Sequence, residues 1–191
     1  MMSAEMASTN ERECALLTRI ARQDSSAINE LYTLYHRRLA RFLTRLTPRC
    51  ELAEEIINDT FRVVWQHAGD FRGASRVSTW IFGIAYRRGL KTLRQAGPAP
   101  ADTDIEREVG SAEPARQEEM GDWLHVALQR LPLEQRMVIE LAYRVGHSCD
   151  EIASIMRCPV NTVKTRMFHA RRKLKPLLIN PAGPARAEDP K

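Results

Sequence analysis

The chain has 191 residues and 43% hydrophobic composition, enough for one large or two small packed domains. Its 29 Lys and Arg against 24 Asp and Glu leave a formal net charge of +5, which favours polyanionic partners without naming one. No apolar run reaches membrane-spanning length, the polar start lacks a signal-peptide core, and Cys14, Cys50, Cys149 and Cys158 form no C-x-x-C pair; no membrane insertion is expected, and a reducing cytoplasm fits better than a disulfide framework.

Residues 1 to about 10 are small and polar and are expected to fray. From Glu11 to Leu46 the pattern is helical, with Ile28, Leu31, Tyr35, Leu39, Phe42 and Leu46 in steps of three and four. Pro48 interrupts it. Glu51 to about His67 predicts a second helix, with Ala53, Ile56, Ile57, Phe61, Val64 and Trp65 apolar and Glu51, Glu54, Glu55 and Asp59 along it. Gly69 to Ser78 reads as a Gly- and Ser-containing loop, and Thr79 to Arg94 as a third helix carrying Trp80, Ile81, Ile84, Ala85 and Leu90.

From Arg72 to Gln95 there are six basic residues and no acid: Arg72, Arg76, Arg87, Arg88, Lys91 and Arg94, interleaved with Trp80, Phe82 and Tyr86. Cations and aromatics beside a flexible loop suit single-stranded or melted DNA, whose unstacked bases can be held. Trp80 taken alone reads better as core. An acidic helix followed by a basic one points to two partners, a basic protein surface and DNA.

Ala96 to Asp122 breaks the helical pattern. It holds Gly97, Pro98, Pro100, Gly110 and Pro114, and eight acids against two arginines. This is an acidic linker, readable either as a solvated spacer or as an acidic strand that lies in a partner's basic channel. Asp122 to Leu131 is again helical, with Trp123, Leu124, Val126, Ala127 and Leu128, and Leu131-Pro132 opens the next helix, Glu134 to Tyr143.

The region that follows carries the most information. Ser148 and Glu151 have capping-box spacing, and Ile152, Ala153, Ile155 and Met156 form the apolar face of a short helix. Pro159 ends it and is preorganised to open the next. There Val163, Met167, Ala170 and Leu174 make one core-facing stripe, while Lys164, Thr165, Arg166, Phe168, His169, Arg171, Arg172 and Lys173 point outward. From Val160 to Leu178 there are six Lys or Arg and no acid, and Phe168 lies off the apolar stripe. This is a helix-turn-helix with a basic second helix, the geometry that enters a DNA major groove. The tail 179–191 reads as disordered.

No β-type alternation of useful length occurs, so the expected fold is all-α: two small helical domains, 11–95 and 122–178, joined by the flexible acidic linker 96–121. No nucleophile–base set or phosphate loop is legible, so no catalytic residue and no enzyme activity is expected. His147, Cys149 and Cys158 lie close in sequence, but four-ligand zinc spacing is absent, so neither a metal site nor a cofactor is expected. A stand-alone helix-turn-helix regulator stays open as an alternative; it leaves the acidic linker and the second basic surface unexplained.

These residues resemble the extracytoplasmic-function (ECF) group of the sigma-70 family of RNA polymerase sigma factors over nearly the whole chain. Ala53-Glu54-Glu55-Ile56-Ile57-Asn58-Asp59-Thr60-Phe61-Arg62-Val63-Val64-Trp65 is similar to the helix such factors set on the polymerase β′ clamp. Phe71-Arg72-Gly73 through Ser78-Thr79-Trp80-Ile81-Phe82-Gly83-Ile84-Ala85 resembles their −10 recognition and melting segment. Leu131-Pro132-Leu133-Glu134-Gln135-Arg136, with Glu151-Ile152-Ala153 and Thr162-Val163-Lys164, resembles their −35-binding domain.

The resemblance implies an alternative sigma factor with region 2 at 11–95 and region 4 at 122–178. It implies as partners core RNA polymerase (β′ clamp and β flap), promoter DNA and often an anti-sigma factor, for which no site is legible here. It implies polymerase contacts at Glu51, Glu54, Glu55, Asn58 and Asp59. It implies −10 contacts at Arg72, Ser75, Arg76, Ser78, Thr79, Trp80, Arg87, Arg88 and Lys91, and −35 contacts at Thr162, Lys164, Thr165, Arg166, Phe168, His169 and Arg171. It also makes the linker's acidity functional, since in the family this connector threads toward the active-site channel and RNA exit path. Departures are Leu52 where an acid is frequent, Arg87 and Lys91 where an Asn and an Asp are common, and Asn161 for a frequent Gly.

Overall fold

A computed structural model of the protein describes residues 2–47, 49–96 and 127–179. Every regular element among them is helical: α1 (Met2–Ile20), α2 (Ser25–Leu46), α3 (Cys50–His67), a 3₁₀ turn (Ala68–Asp70), α4 (Val77–Ala96), α5 (Leu133–Ile139) running into a π-helical segment (Glu140–Val145), α6 (Cys149–Met156) and α7 (Val160–Ile179). Most of the linker 96–121, the first half of the helix expected at Asp122–Leu131 and the tail beyond Ile179 lie outside the described residues.

Two expectations are corrected at the N-terminus. The start is helical from Met2 rather than frayed, and the helical pattern from Glu11 to Leu46 is two helices rather than one. The chain turns at Gln23, which is left-handed at φ 64°. Asp24 then caps α2, its Oδ1 accepting from the Ser26 and Ala27 amides at 2.9 and 3.3 Å. Hydrogen bonds from the Ser26 hydroxyl and Arg19 hold the Asp24 carboxyl at about 2.

Helix α2 buries Ala27, Leu31, Tyr35, Leu39, Phe42, Leu43 and Leu46, and α3 buries Ala53, Ile56, Ile57, Thr60, Phe61 and Val64. Both pack on α4, whose Phe82 meets Phe42 and Tyr35 at ring centroid distances of 5.3 and 6.5 Å. Gly89 lets α4 and α2 approach closely: a Cβ there would sit 2.2 Å from Leu46 Cδ2. α4 begins at Val77, two residues before the sequence pattern predicts, so Val77 and Ser78 belong to its first turn and not to the loop. The reason is non-local. Asn10 of α1 reaches across and accepts the Val77 amide at 3.0 Å, supplying a partner for one of the orphan donors of a helix start.

In the C-terminal half the helix-turn-helix forms as its spacing predicts. Ser148 and Glu151 close a full capping box on α6. Arg157 ends α6 in the left-handed region, and α7 starts directly after Pro159. Val163, Met167, Ala170 and Leu174 are all buried. Helix α5 plus the π segment forms the third side of this unit, and the unit packs through α6 onto α4 and through the π segment onto α2.

Candidate nucleic-acid interface

Helix α7 turns its apolar stripe inward, so the opposite face is fixed by the period of the helix. Lys164, Thr165, Phe168, Arg171, Arg172 and Lys173 are exposed on it, while Thr162, Arg166 and His169 are half-buried. Phe168 is 61% exposed, on the same face as these cations. Its ring is met edge-on by His169 at 5.5 Å, and the Arg172 guanidinium lies 6.0 Å from its centroid. Arg166 is turned aside: it pairs with Glu134 at 2.9 Å and donates to Cys158 Sγ at 3.6 Å. Of the predicted −35 residues it is the one already engaged by a carboxylate.

The sequence reading missed Tyr143. It projects from the π segment at 60% exposure, accepts a hydrogen bond from Arg171 and lies 5.5 Å beneath that guanidinium. The signal was available, since Tyr143 is, like Phe168, an aromatic outside the buried stripe. Both aromatics hold arginines of α7 over their faces, which preorients two cations on one surface.

The second basic surface sits on α4. Arg87, Arg88 and Lys91, with Val63 and Ile84, line an open groove of about 260 Å³ between α3 and α4. Arg87 is half-buried, and burial together with the nearby Arg157 cation pulls its guanidinium below its ordinary range. Arg88 lies 4.0 Å from Asp59, which Arg62 also holds at 2.8 Å. Asp59 is therefore tied to its own domain, and Glu54 faces His36 at 3.2 Å. Glu51, Glu54, Glu55 and Asn58 remain on the exposed side of α3, opposite the buried Ile56, Ile57 and Phe61.

Between α3 and α4 the chain passes through Phe71, which packs on Trp80 at 5.4 Å, and Gly73, left-handed at φ 70°. Arg72 is exposed and Ser75 half-buried. Trp80 is half-buried, and Ser78, Thr79 and Arg76 are covered or engaged. Ser78 and Thr79 are 8% and 3% exposed, and the Arg76 guanidinium is held by both carboxylate oxygens of Glu151 on α6. Thr79 Oγ1 donates to the same carboxylate at 3.0 Å. Burial works against the Glu151 charge, but donors from Arg76, the Ser148 amide and Thr79 outweigh it and hold the carboxyl at about 2. Beside it lies His147, 5% exposed, 5.4 Å from the Phe82 ring, with neither ring nitrogen hydrogen-bonded; burial pushes the imidazole down to about 4. Among the described residues no group of His, Cys, Asp and Glu is placed to hold a metal ion.

Two helical units, one carrying a basic α4 behind an acidic α3 and one built as a helix-turn-helix, match two family models in that order: Sigma-70 region 2 over residues 31–98 and Sigma-70 region 4 over residues 121–174. The chain belongs to the ECF group of the sigma-70 family. It is an alternative sigma factor and directs transcription initiation. It is 29% identical over 188 residues to the RNA polymerase sigma-H factor of Pseudomonas aeruginosa, covering 89% of this chain and 97% of that one. It is also 29% identical over 181 residues to the ECF RNA polymerase sigma-E factor of Escherichia coli, covering 85% and 94%. Two solved structures share its fold. One is CnrH in complex with the cytosolic domain of CnrY, with TM-score 0.66, 23% identity and coverage of 87% of this chain and 97% of that one. The other is the sigma factor RpoE in complex with the anti-sigma factor NepR from Bartonella quintana, with TM-score 0.63, 24% identity and coverage of 79% and 96%. No helix among the described residues is long and apolar enough to cross a membrane.

Proposed function

We propose that this sigma factor docks on core RNA polymerase through the exposed acidic face of α3, reads the −35 element with α7 and engages the melted −10 strand with the segment from Arg72 to Lys91. Domain limits of 11–95 and 122–178 go with this reading, the acidic linker 96–121 running along the polymerase channel and the tail 179–191 taking no part. The chain works in the cytoplasm as a specificity subunit and performs no bond chemistry itself. The observation that carries the reading is the outer face of α7, single-signed and bearing an aromatic at 61% exposure. Such a face offers cations to phosphates and a side-chain set to base edges, and contact with both offsets the cost of taking its charges out of water.

Thr165, Phe168 and His169 are assigned to base edges, and Lys164 and Arg171 to phosphates. Thr162 and Arg166 complete the −35 set, Arg166 after release from Glu134. On α3, Glu51, Glu54, Glu55 and Asn58 face the clamp, with Asp59 behind them as the residue that holds Arg62 and Arg88. The β flap is the second polymerase contact. Two solved neighbours were captured with CnrY and NepR, and an anti-sigma protein is accordingly a further partner class for this chain.

Reconstitution with core polymerase and start-site mapping tests the reading. Sequence-dependent initiation that requires both elements is expected. Charge reversal at Glu54 and Glu55 weakens core binding with helicity intact. Tight, polymerase-independent duplex binding by the purified chain would instead favour a stand-alone regulator.

A further inference from the structure

Helix α7 carries cations on both flanks of its outer face, and the two flanks are held differently. Lys164, Phe168, Arg171 and Lys175 recur in steps of four, three and four, so they form one row along the helix, and all four are exposed. At about 1.5 Å per residue the row is about 16 Å long, enough to follow a DNA strand whose charges lie about 3.4 Å apart along the axis. The opposite flank holds Arg166, whose charge goes to Glu134 at 2.9 Å.

Arg171 takes a partner of another kind. The phenol oxygen of Tyr143 accepts from its Nη2, and its guanidinium carbon lies 5.5 Å from the ring centroid. A carboxylate orients an arginine and cancels its charge together, as Glu134 does for Arg166 and Glu140 for Arg144 at 3.7 Å. A phenol orients the guanidinium and leaves its charge to be used. The same oxygen carries an O–H of its own, which finds no acceptor among the described residues, and Tyr143 is 60% exposed. The placement comes from the π segment. After five consecutive buried residues, Met137 to Leu141, its widened turn brings Tyr143 out beside α7.

We propose that Tyr143 and Arg171 form a two-part clamp for one phosphodiester at the −35 element: the phenol sets the guanidinium and donates its own O–H to the same phosphate. This rests on the assignment of α7 to the −35 element and adds to it a residue outside the recognition helix and the group that residue binds. Arg171 has five N–H donors, and one contact to the phenol leaves a pair free for two phosphate oxygens. The clamp reads no base. It fixes the register of α7 on the strand, so that Thr165, Phe168 and His169 meet the base edges assigned to them.

The test uses holoenzyme reconstituted with core polymerase on the mapped promoter. Phosphates around the −35 element are replaced one at a time by methylphosphonate, which lacks the charge. In wild type one position is expected to cost about tenfold in promoter affinity, the scale of one charge-assisted hydrogen-bonded contact. Tyr143→Phe keeps the ring and lowers affinity for the unmodified promoter about threefold; in that variant the same methylphosphonate costs about threefold or less. Arg171→Ala loses sensitivity at the same position. Tyr143→Glu, which gives Arg171 a carboxylate, lowers affinity about tenfold and the salt slope by about one unit. Undiminished methylphosphonate sensitivity in Tyr143→Phe overturns the proposal, and so does a wild type indifferent to every replaced phosphate. Weaker assembly of Tyr143→Phe with core polymerase, at unchanged methylphosphonate sensitivity, also overturns it and places the phenol against polymerase instead. Failure of the underlying −35 assignment shows elsewhere, as equal holoenzyme affinity for cognate and scrambled −35 sequences; failure of the proposal alone leaves that discrimination intact.

Discussion

The two basic surfaces of this chain have similar charge and differ in availability. On α7 the cations and Phe168 point into solvent, with Arg171 and Arg172 resting on Tyr143 and Phe168. On the −10 segment Arg76, Ser78 and Thr79 are buried or gripped by α6. Composition cannot tell these cases apart, since each stretch has six basic residues and no acid. The difference comes from what the fold brings opposite each one. A surface helix shows its outer face whatever else happens, whereas the start of α4 lies where the second unit docks.

The largest effect is expected from the side chain that both units share. Phe82 is fully buried, packs on Phe42 and Tyr35 and carries His147 on its other side. Phe82→Ala should cost about 3–5 kcal/mol, as buried aromatic truncations do. Thermal unfolding of the wild type should show the units melting together, and the variant should melt earlier with the α7 unit released. A variant that melts within a degree or two of wild type would mean Phe82 does not join them.

Next in size is a pH effect centred on His147. Burial is the main cause of its lowered pKa; Glu151 opposes it, and Arg76 and Arg38 reinforce it. The unfolded or opened chain takes up a proton near 6.5, the folded closed chain only near 4. Stability and closure are therefore complete above pH 6.5 and fall as the pH drops toward 4, by up to about 1.4 kcal/mol per unit. Glu151, held at about 2, adds its own loss only below about 4.5. Glu13 and Glu140, pushed up chiefly by burial, titrate in the opposite sense. The informative quantity is thus the difference between wild type and His147→Leu. That difference should grow from pH 7 to pH 5 in denaturant titrations, and parallel curves would remove His147 from the interface energetics.

The open surface should respond to substitution without any such linkage. Phe168→Ala should leave stability unchanged and cost about 1–3 kcal/mol on a cognate −35 duplex, with little change on a scrambled one. Arg171→Ala should weaken both duplexes alike and lower the salt slope by about one unit. Tyr143→Phe removes the hydroxyl that Arg171 grips and keeps the ring beneath it, so it should show a weaker version of the Arg171 pattern. Equal losses on cognate and scrambled duplexes for Phe168→Ala would deny it a base-reading role.

The contrast between the surfaces also explains what the sequence could and could not tell. The α7 stripe, the α6 capping box and the exposure of Phe168 are local, so periodicity and spacing reach them. The break before α2 was hidden because its signal is one Asp inside a polar stretch, with the turn residue Gln23 left-handed without being a glycine. The early start of α4 depends on Asn10, the clasp on residues 75 apart in the chain, and neither leaves a local pattern. The π segment changes hydrogen bonding over a single turn and leaves the hydrophobic period intact, so Glu134 to Tyr143 still read as an ordinary helix.

The smallest effect should come from the arginine that Glu151 holds. Arg76→Ala does two things of opposite sign to the free chain. It releases Glu151 and so favours opening, and it removes a cation that would hold the strand's phosphate. Each is worth about one charge-assisted hydrogen-bonded contact, so they nearly cancel, and strand affinity of the free protein should change by less than about threefold. In a holoenzyme that holds the units apart the cancellation disappears, and only the lost phosphate contact remains. Ser75→Ala behaves differently: its hydroxyl donates to the Arg76 carbonyl within the loop and does not touch α6, so it shapes the loop without opening the clasp. In transcription from matched duplex and pre-melted templates, Ser75→Ala should hurt the duplex more, since a loop that aids melting is spared that work on a bubble. Arg76→Ala should lower both templates, since the phosphate is present in each. A large change in free-strand affinity for Arg76→Ala, in either direction, would show that one of its two roles is absent, and the direction would say which.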